Sequence, residues 1–222
     1  MSVNINDWKV EDLAFWKEKG SKIATRNILI SIPSLLLAFA VWIMWGIIIT
    51  KMKEFGYNFG MLEGISDALR ADKLKEINSL YYTLPAIAGL AGATLRIPNS
   101  FLIGLAGGRN VIFVTTLLLI IPVVGVGLAL RDINTPYMVF AAMALLSGFG
   151  GGNFASSMSN ISYFFPKRVQ GTSLGFNAGI GNLGVGIMQK TIPLVVGLTL
   201  FSAVDRDGSV ISSGALTGIQ NA

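Results

Sequence analysis

The chain has 222 residues, 52% of them hydrophobic and only 13% charged, with a formal net charge of +5 and a mean hydropathy of +0.63. A soluble domain carries about twice that share of charge, and here the charges gather in short stretches between long uncharged runs with no basic stripe, which argues against a soluble enzyme and a nucleic-acid binder. Cysteine and histidine are both absent, which removes disulfides, thiolate chemistry, the commonest metal ligand and the usual proton shuttle near neutral pH. No metal and no cofactor are expected.

In chain order, residues 1–27 form a charged leading segment. Trp8, Leu13, Phe15 and Trp16 lie among charges in 6–20, and that pattern fits a short helix at the membrane interface, with a disordered tail as the alternative. The first long apolar run begins only at Ile28, behind this segment, so the N-terminus does not read as a cleavable signal. Apolar spans follow at 28–50, 81–105, 111–130, 137–164 and 171–204. Each reaches the ~20 residues that cross a hydrocarbon core of roughly 30 Å. The expected fold class is therefore an all-α integral membrane bundle of about five transmembrane helices, occupying 28–204. Pro33, Pro85, Pro98, Pro122 and Pro193 fall inside these runs, where bundled membrane helices tolerate them.

The connection 51–80 mixes both charge signs, and a short surface helix is expected around 65–77. Lys17, Lys19, Lys22 and Arg26 precede the first span, Arg109 follows the second, and Lys167 and Arg168 follow the fourth. Alternation puts all of these on one side, so the positive-inside rule places the N-terminus in the cytoplasm. The polar, Gly/Ser-rich tail 205–222 then reads as an external loop. An odd number of spans ending in such a loop suggests a piece of a longer chain.

Arg96 is the most informative residue. It lies well inside the second span, and all twelve Asp and Glu residues lie outside the five spans. A charge at the bilayer centre costs at least about 2.5–3.5 kcal/mol, so it usually faces a cavity and has a task. Its counter-ion is either a carboxylate in sequence beyond this chain or a bound anion. A guanidinium offers a planar, permanently charged fork that suits a planar oxyanion. Asn99, three residues on and past Pro98, fits either a polar site lining or a helix–helix hydrogen bond. Lys190 is the other cation within a span, and either snorkels to the surface or has a function.

The last two spans are dense in glycine. Gly148 and Gly150 to Gly152 lead into Asn153 and Phe154, while Gly171, Gly175, Gly179, Gly181, Gly184 and Gly186 surround Asn182. The steps from Gly171 to Gly179 would let helices touch backbone to backbone. Packing does not explain the embedded asparagines, whose amides could line a narrow cavity. Gly179-x-Gly181-x-x-Gly184 also matches a dinucleotide fingerprint, but it lies within an apolar helical run rather than after a strand, so nucleotide binding is rejected.

The stretch 148–189, with its Gly-Gly-Asn153-Phe-Ala-Ser-Ser and Asn-Ala-Gly-Ile-Gly-Asn182-Leu-Gly-Val runs, together with 31–42 and 95–101, resembles the nitrate/nitrite porters of the major facilitator superfamily. The resemblance implies a twelve-helix fold of two six-helix halves that rock about a central site, of which this chain is the N-terminal part. On this resemblance Arg96 matches the substrate-binding arginine of the second helix, Asn182 the signature asparagine near the anion, and Phe154 the aromatic stacked on its face. Asn153 and Asn99 complete the candidate binding set, and Gly179, Gly181, Gly184 and Gly186 match the close-packed part that moves in gating. The superfamily's loop motif has an acid before its arginine, whereas Gly108 precedes Arg109 here. The implied partners are nitrate, nitrite, the lipid bilayer and the missing C-terminal half. The expected activity is nitrate/nitrite exchange across the cytoplasmic membrane. Proton-coupled nitrate uptake, or a non-transporting membrane anchor, are the alternatives.

Overall fold

The computed structural model describes residues 8–196. The first seven residues, the end of the fifth expected span and the tail 205–222 lie outside the described residues. Among the described residues the regular secondary structure is all helical, with no strand. Its elements are α1 (Leu13–Phe15), a π-helical segment (Trp16–Gly20), α2 (Ser21–Ile43), α3 (Trp45–Glu54), α4 (Asp67–Ala106), α5 (Gly108–Leu118), α6 (Ile120–Ala129), α7 (Tyr137–Phe164) and α8 (Lys167–Val196).

Four stretches are long and apolar enough to cross a membrane: Leu13–Glu54, Asp67–Ala106, Gly108–Ala129 and Tyr137–Phe164. They correspond to the first four expected spans. The fifth is a helix as expected, Lys167–Val196. It is not among those four, and its glycines, asparagines, Gln189 and Lys190 dilute its apolar character.

Two boundaries differ from expectation. The surface helix expected at 65–77 is not separate but forms the first turns of α4, which runs unbroken for 40 residues. No glycine or proline occurs between Asp67 and Leu84, and the pairs Lys73–Glu76 and Lys75–Asp72 brace that stretch at i,i+3 spacing. Helical propagation therefore continues straight into the apolar run. The third span, by contrast, is interrupted at Leu119. Pro122 has no N–H for the Leu118 carbonyl, and the Leu119 N–H turns to Thr116 instead. Pro33, Pro85, Pro98 and Pro193 sit inside continuous helices.

The leading segment is helical from Leu13, and it packs on its own chain at the α7–α8 turn. Trp8 Nε1 donates to the Tyr163 carbonyl at 3.2 Å, and the Glu11 carboxylate accepts from the Lys167 N–H at 2.9 Å. Trp8 meets Phe164 and Trp16 meets Phe165 ring to ring. A carboxylate at the first residue of α8 complements that helix's positive end.

α7 is the centre of the bundle and packs against α2, α4, α5, α6 and α8. Its glycines explain how. A methyl group on Gly148 would lie 2.5 Å from Ala91 Cβ, one on Gly150 would strike the Ala38 carbonyl oxygen, and one on Gly151 would lie 2.8 Å from Gly92 Cα. α2 and α4 thus meet α7 backbone to backbone, as membrane helices do when small residues line the seam. α8 joins α2 in the same way, through Gly181 against Leu35 and Gly184 against the Leu36 backbone. The expected seam along Gly171, Gly175 and Gly179 is not used within the described residues, where nothing approaches those positions within 4 Å.

These contacts predict opposite outcomes for two similar substitutions in the full-length protein. Gly150→Ala forces α2 off α7 and should cost about 1–3 kcal/mol of stability. Gly186→Ala, which would meet nothing within 4 Å among the described residues, should leave the melting temperature unchanged or slightly raised, since alanine is the better helix former. Thermal unfolding in detergent reads both. Equal melting temperatures would contradict the packing described.

Candidate anion site

Arg96 is half-buried on α4, one turn after the Ala88–Gly92 stretch against which α2 and α7 pack. Its Nε donates to the Gly151 carbonyl of α7 at 3.2 Å. Its guanidinium carbon lies 5.3 Å from the Trp42 ring centroid and 5.1 Å from that of Phe154. Phe39 touches both rings, at centroid distances of 5.9 and 5.7 Å. Three helices therefore supply one cluster: Phe39 and Trp42 from α2, Arg96 from α4, and Phe154 from α7. Each cation–ring contact of this kind is worth about 0.5–2 kcal/mol, more where water is excluded.

Among the described residues Arg96 has no ion pair. The pairs present join Lys19 to Glu18, Lys51 to Glu54, Lys73 to Glu76 and Lys75 to Asp72, all outside the apolar zone of the bundle. The Arg96 hydrogen bond to Gly151 uses Nε only. The two terminal nitrogens, the part of the fork that grips a planar anion, have no acceptor among the described residues.

The other candidates fall into distinct places. Asn99 is 97% buried, one turn further along α4, and packs against Gly152, where an added methyl would lie 2.7 Å from its Nδ2. That nitrogen has no hydrogen-bond partner, and a buried donor without one costs about 1–3 kcal/mol. Asn153 is wholly buried and points to α5. Its Oδ1 accepts from Thr115 Oγ1 at 3.1 Å, and its Nδ2 donates to Thr116 Oγ1 at 3.0 Å. Thr116 in turn meets Ser34 of α2 at 2.6 Å. Asn182 is exposed on α8 and donates to the Ala178 carbonyl of its own helix. Lys190 is exposed near the end of α8. Gly181 and Gly184 seal α8 to α2, while Gly179 and Gly186 are open. The structure thus brings Arg96 and Phe154 into contact, puts Asn99 beside them, and directs Asn153 and Asn182 elsewhere.

Sequence reasoning missed three participants. Phe39 and Trp42 look like ordinary apolar positions at helical spacing, and only their facing glycines, Gly92 and Gly151, hint at a specific fit. Asn177 is wholly buried on α8 and donates to Ser157 Oγ at 2.8 Å, while its Oδ1 lacks a partner. The Gly-Phe-Asn177-Ala-Gly run contains it, but Asn182 in the following run is the residue the motif singles out.

A cavity of about 1250 Å³, lined by Arg26, Asn27, Arg109 and Asn160 among others, opens between α2, α5 and the end of α7. A smaller one of about 380 Å³ lies between α2 and the α5–α6 break. Neither of these two is lined by Arg96, which is half-buried on α4.

Long apolar helices meeting through glycine seams, with buried asparagines and serines along α7, define an integral membrane helical bundle. The chain matches the Major Facilitator Superfamily over residues 9–188, and it belongs to that superfamily. It is 42% identical to the nitrate/nitrite transporter NarU of Escherichia coli (strain K12), over 98% of this chain and 44% of that protein. It is 37% identical to the probable nitrate/nitrite antiporter NarK2 of Thermus thermophilus, over 90% of this chain and 41% of the other. It is 30% identical to the probable nitrate transporter NarT of Staphylococcus aureus (strain MRSA252), over 57% and 31% respectively. The chain spans less than half the length of these relatives.

The satisfied amide of Asn153 yields a prediction. Asn153→Ala removes both side-chain hydrogen bonds that tie α7 to the α5 threonines and should destabilise the full-length protein by about 1–3 kcal/mol. Thermal melting checks it; an unchanged melting temperature would mean that Thr115 and Thr116 do not depend on this residue.

Proposed function

We propose that this chain is the N-terminal part of a secondary transporter that moves nitrate and nitrite across the cytoplasmic membrane by alternating access, with Arg96 as its anion-binding group. The observation that carries the reading is a guanidinium in an apolar helix bundle with no carboxylate within ion-pair distance among the described residues. A trigonal oxyanion satisfies both free terminal nitrogens at once, and the Phe154 ring offers a surface for its flat face. The relatives named above are nitrate or nitrite transporters, which supports the same substrate class and a transporter rather than an enzyme. Asn99, with its unpartnered buried amide nitrogen, is the second binding group of this reading. Asn182 and Asn153 would join only after a change of conformation; Gly181 and Gly184 seat α8 closely on α2, while Gly179 and Gly186 leave α8 bare elsewhere for such a movement.

Since Arg96 is only half-buried in this bundle, the site is completed by the part of the protein outside this chain, in keeping with two halves that rock about a shared centre. In this reading the N-terminal side of the bundle faces the cytoplasm, with the leading segment packed on the α7–α8 turn there. Nitrate/nitrite exchange fits better than proton symport, because the chain has no histidine and no acid within its spans. Each anion in turn then screens the arginine as the site reorients.

Transport by the full-length protein in liposomes tests this. Arg96→Lys keeps the charge but loses the planar fork, and the expected fall in kcat/KM for nitrate is about hundredfold, the loss of a bidentate charged contact at about 1.4 kcal/mol per factor of ten. Internal nitrite should accelerate nitrate entry, and an imposed pH gradient should not drive it. Wild-type flux in the lysine variant would overturn the site, and accumulation driven by the pH gradient alone would overturn exchange.

A further inference from the structure

Trp42 belongs to none of the residues that the proposed function assigns, yet the fold around it is unusually specific. Its indole N–H donates to the Ala88 carbonyl of α4 at 2.7 Å. Ala88 lies within a continuous helix, so this carbonyl accepts from the indole in addition to its place in the helix. Both glycines that face the ring are there because of it. A methyl on Gly92 would collide with the indole nitrogen and lie 2.6 Å from Cε2, and one on Gly151 would lie 2.7 Å from Cε2. The ring is therefore held from three directions: a hydrogen bond to α4, the bare backbone of α4, and the bare backbone of α7. Phe39 closes the α2 side at 5.9 Å between centroids.

The same ring carries the Arg96 guanidinium at 5.3 Å. Gly151 links the two residues, since its carbonyl accepts from Arg96 Nε at 3.2 Å while its α-carbon leaves room for the indole. We infer that Trp42 is a positioning residue for Arg96. Its locked indole, with Gly151, fixes the height and plane of the guanidinium so that the two terminal nitrogens are presented together to the anion. A long arginine side chain loses much rotamer freedom when it is fixed. Fixing it before the anion arrives lowers what binding must spend on ordering. The inference rests on the proposed role of Arg96 and adds to it a fixed platform on a different helix.

The test uses the full-length transporter in liposomes and reads KM for nitrate separately from turnover, with melting temperature in detergent as the control for folding. Trp42→Leu should raise KM about tenfold, the size expected when a desolvated cation–ring contact and its orientation are lost. Trp42→Phe keeps a ring but not the bond to Ala88, and should raise KM by a smaller factor, about threefold. Gly92→Ala displaces the indole without changing it, and should raise KM in the same direction. Should the leucine variant fail to fold, the phenylalanine and Gly92→Ala variants decide the matter. Unchanged KM in the folded variants, or a fall in turnover alone, overturns the inference. If that happens while Arg96→Lys abolishes transport, the anion site stands and only the platform falls. If Arg96→Lys transports normally, it is the proposed function that fails.

Discussion

A permanent positive charge half-buried in an apolar helical bundle is the constraint on which the rest of this molecule depends. Removing a guanidinium from water into the bilayer costs at least about 2.5–3.5 kcal/mol even on the most lenient scale. The protein offsets part of that with two aromatic rings and one backbone carbonyl. None of these neutralises the charge, and the described residues offer no acid to do so. What remains is an electrostatic demand that an anion can meet and release. A fixed carboxylate would meet it permanently and remove the reason for binding.

The packing follows from that demand. To bring a tryptophan, an arginine and a phenylalanine from three helices to one point, the helix axes must come close, and close axes require missing side chains. Gly92 on α4 and Gly150 and Gly151 on α7 supply them. The buried asparagines and serines of α7 then hold the neighbouring helices in register: Asn153 through the α5 threonines, Ser157 through Asn177, and Asn160 through Asn27. Such bonds add little net stability each, yet leaving one unmade is costly, so they favour one arrangement of helices over sliding alternatives.

Much of this was legible in the amino-acid order. Hydrophobic runs of membrane length placed the first four spans, because the bilayer forces backbone groups into helices. Arg96 announced itself as the charge that hydropathy could not explain. The continuity of α4 was not foreseen: a short surface helix was expected around 65–77, but hydropathy alone does not join a charged helix to the apolar run after it, although nothing in 67–84 breaks a helix. The destinations of the asparagines were not legible either. Asn153 and Asn182 carry the same signal in sequence, but helix rotation turns one into the α5 interface and leaves the other exposed. Trp42 was hidden because an aromatic on an apolar helix says nothing until the facing glycines are paired with it.

The central claim is that the counter-ion of Arg96 is the transported anion. Solid-state NMR on the full-length protein in lipid, with isotope-labelled arginine and labelled nitrate, measures this directly. A through-space contact between the Arg96 guanidinium and bound nitrate, present with nitrate and lost on its removal, is the predicted result. A persistent contact between that guanidinium and a carboxylate carbon, unchanged by nitrate, would contradict the account.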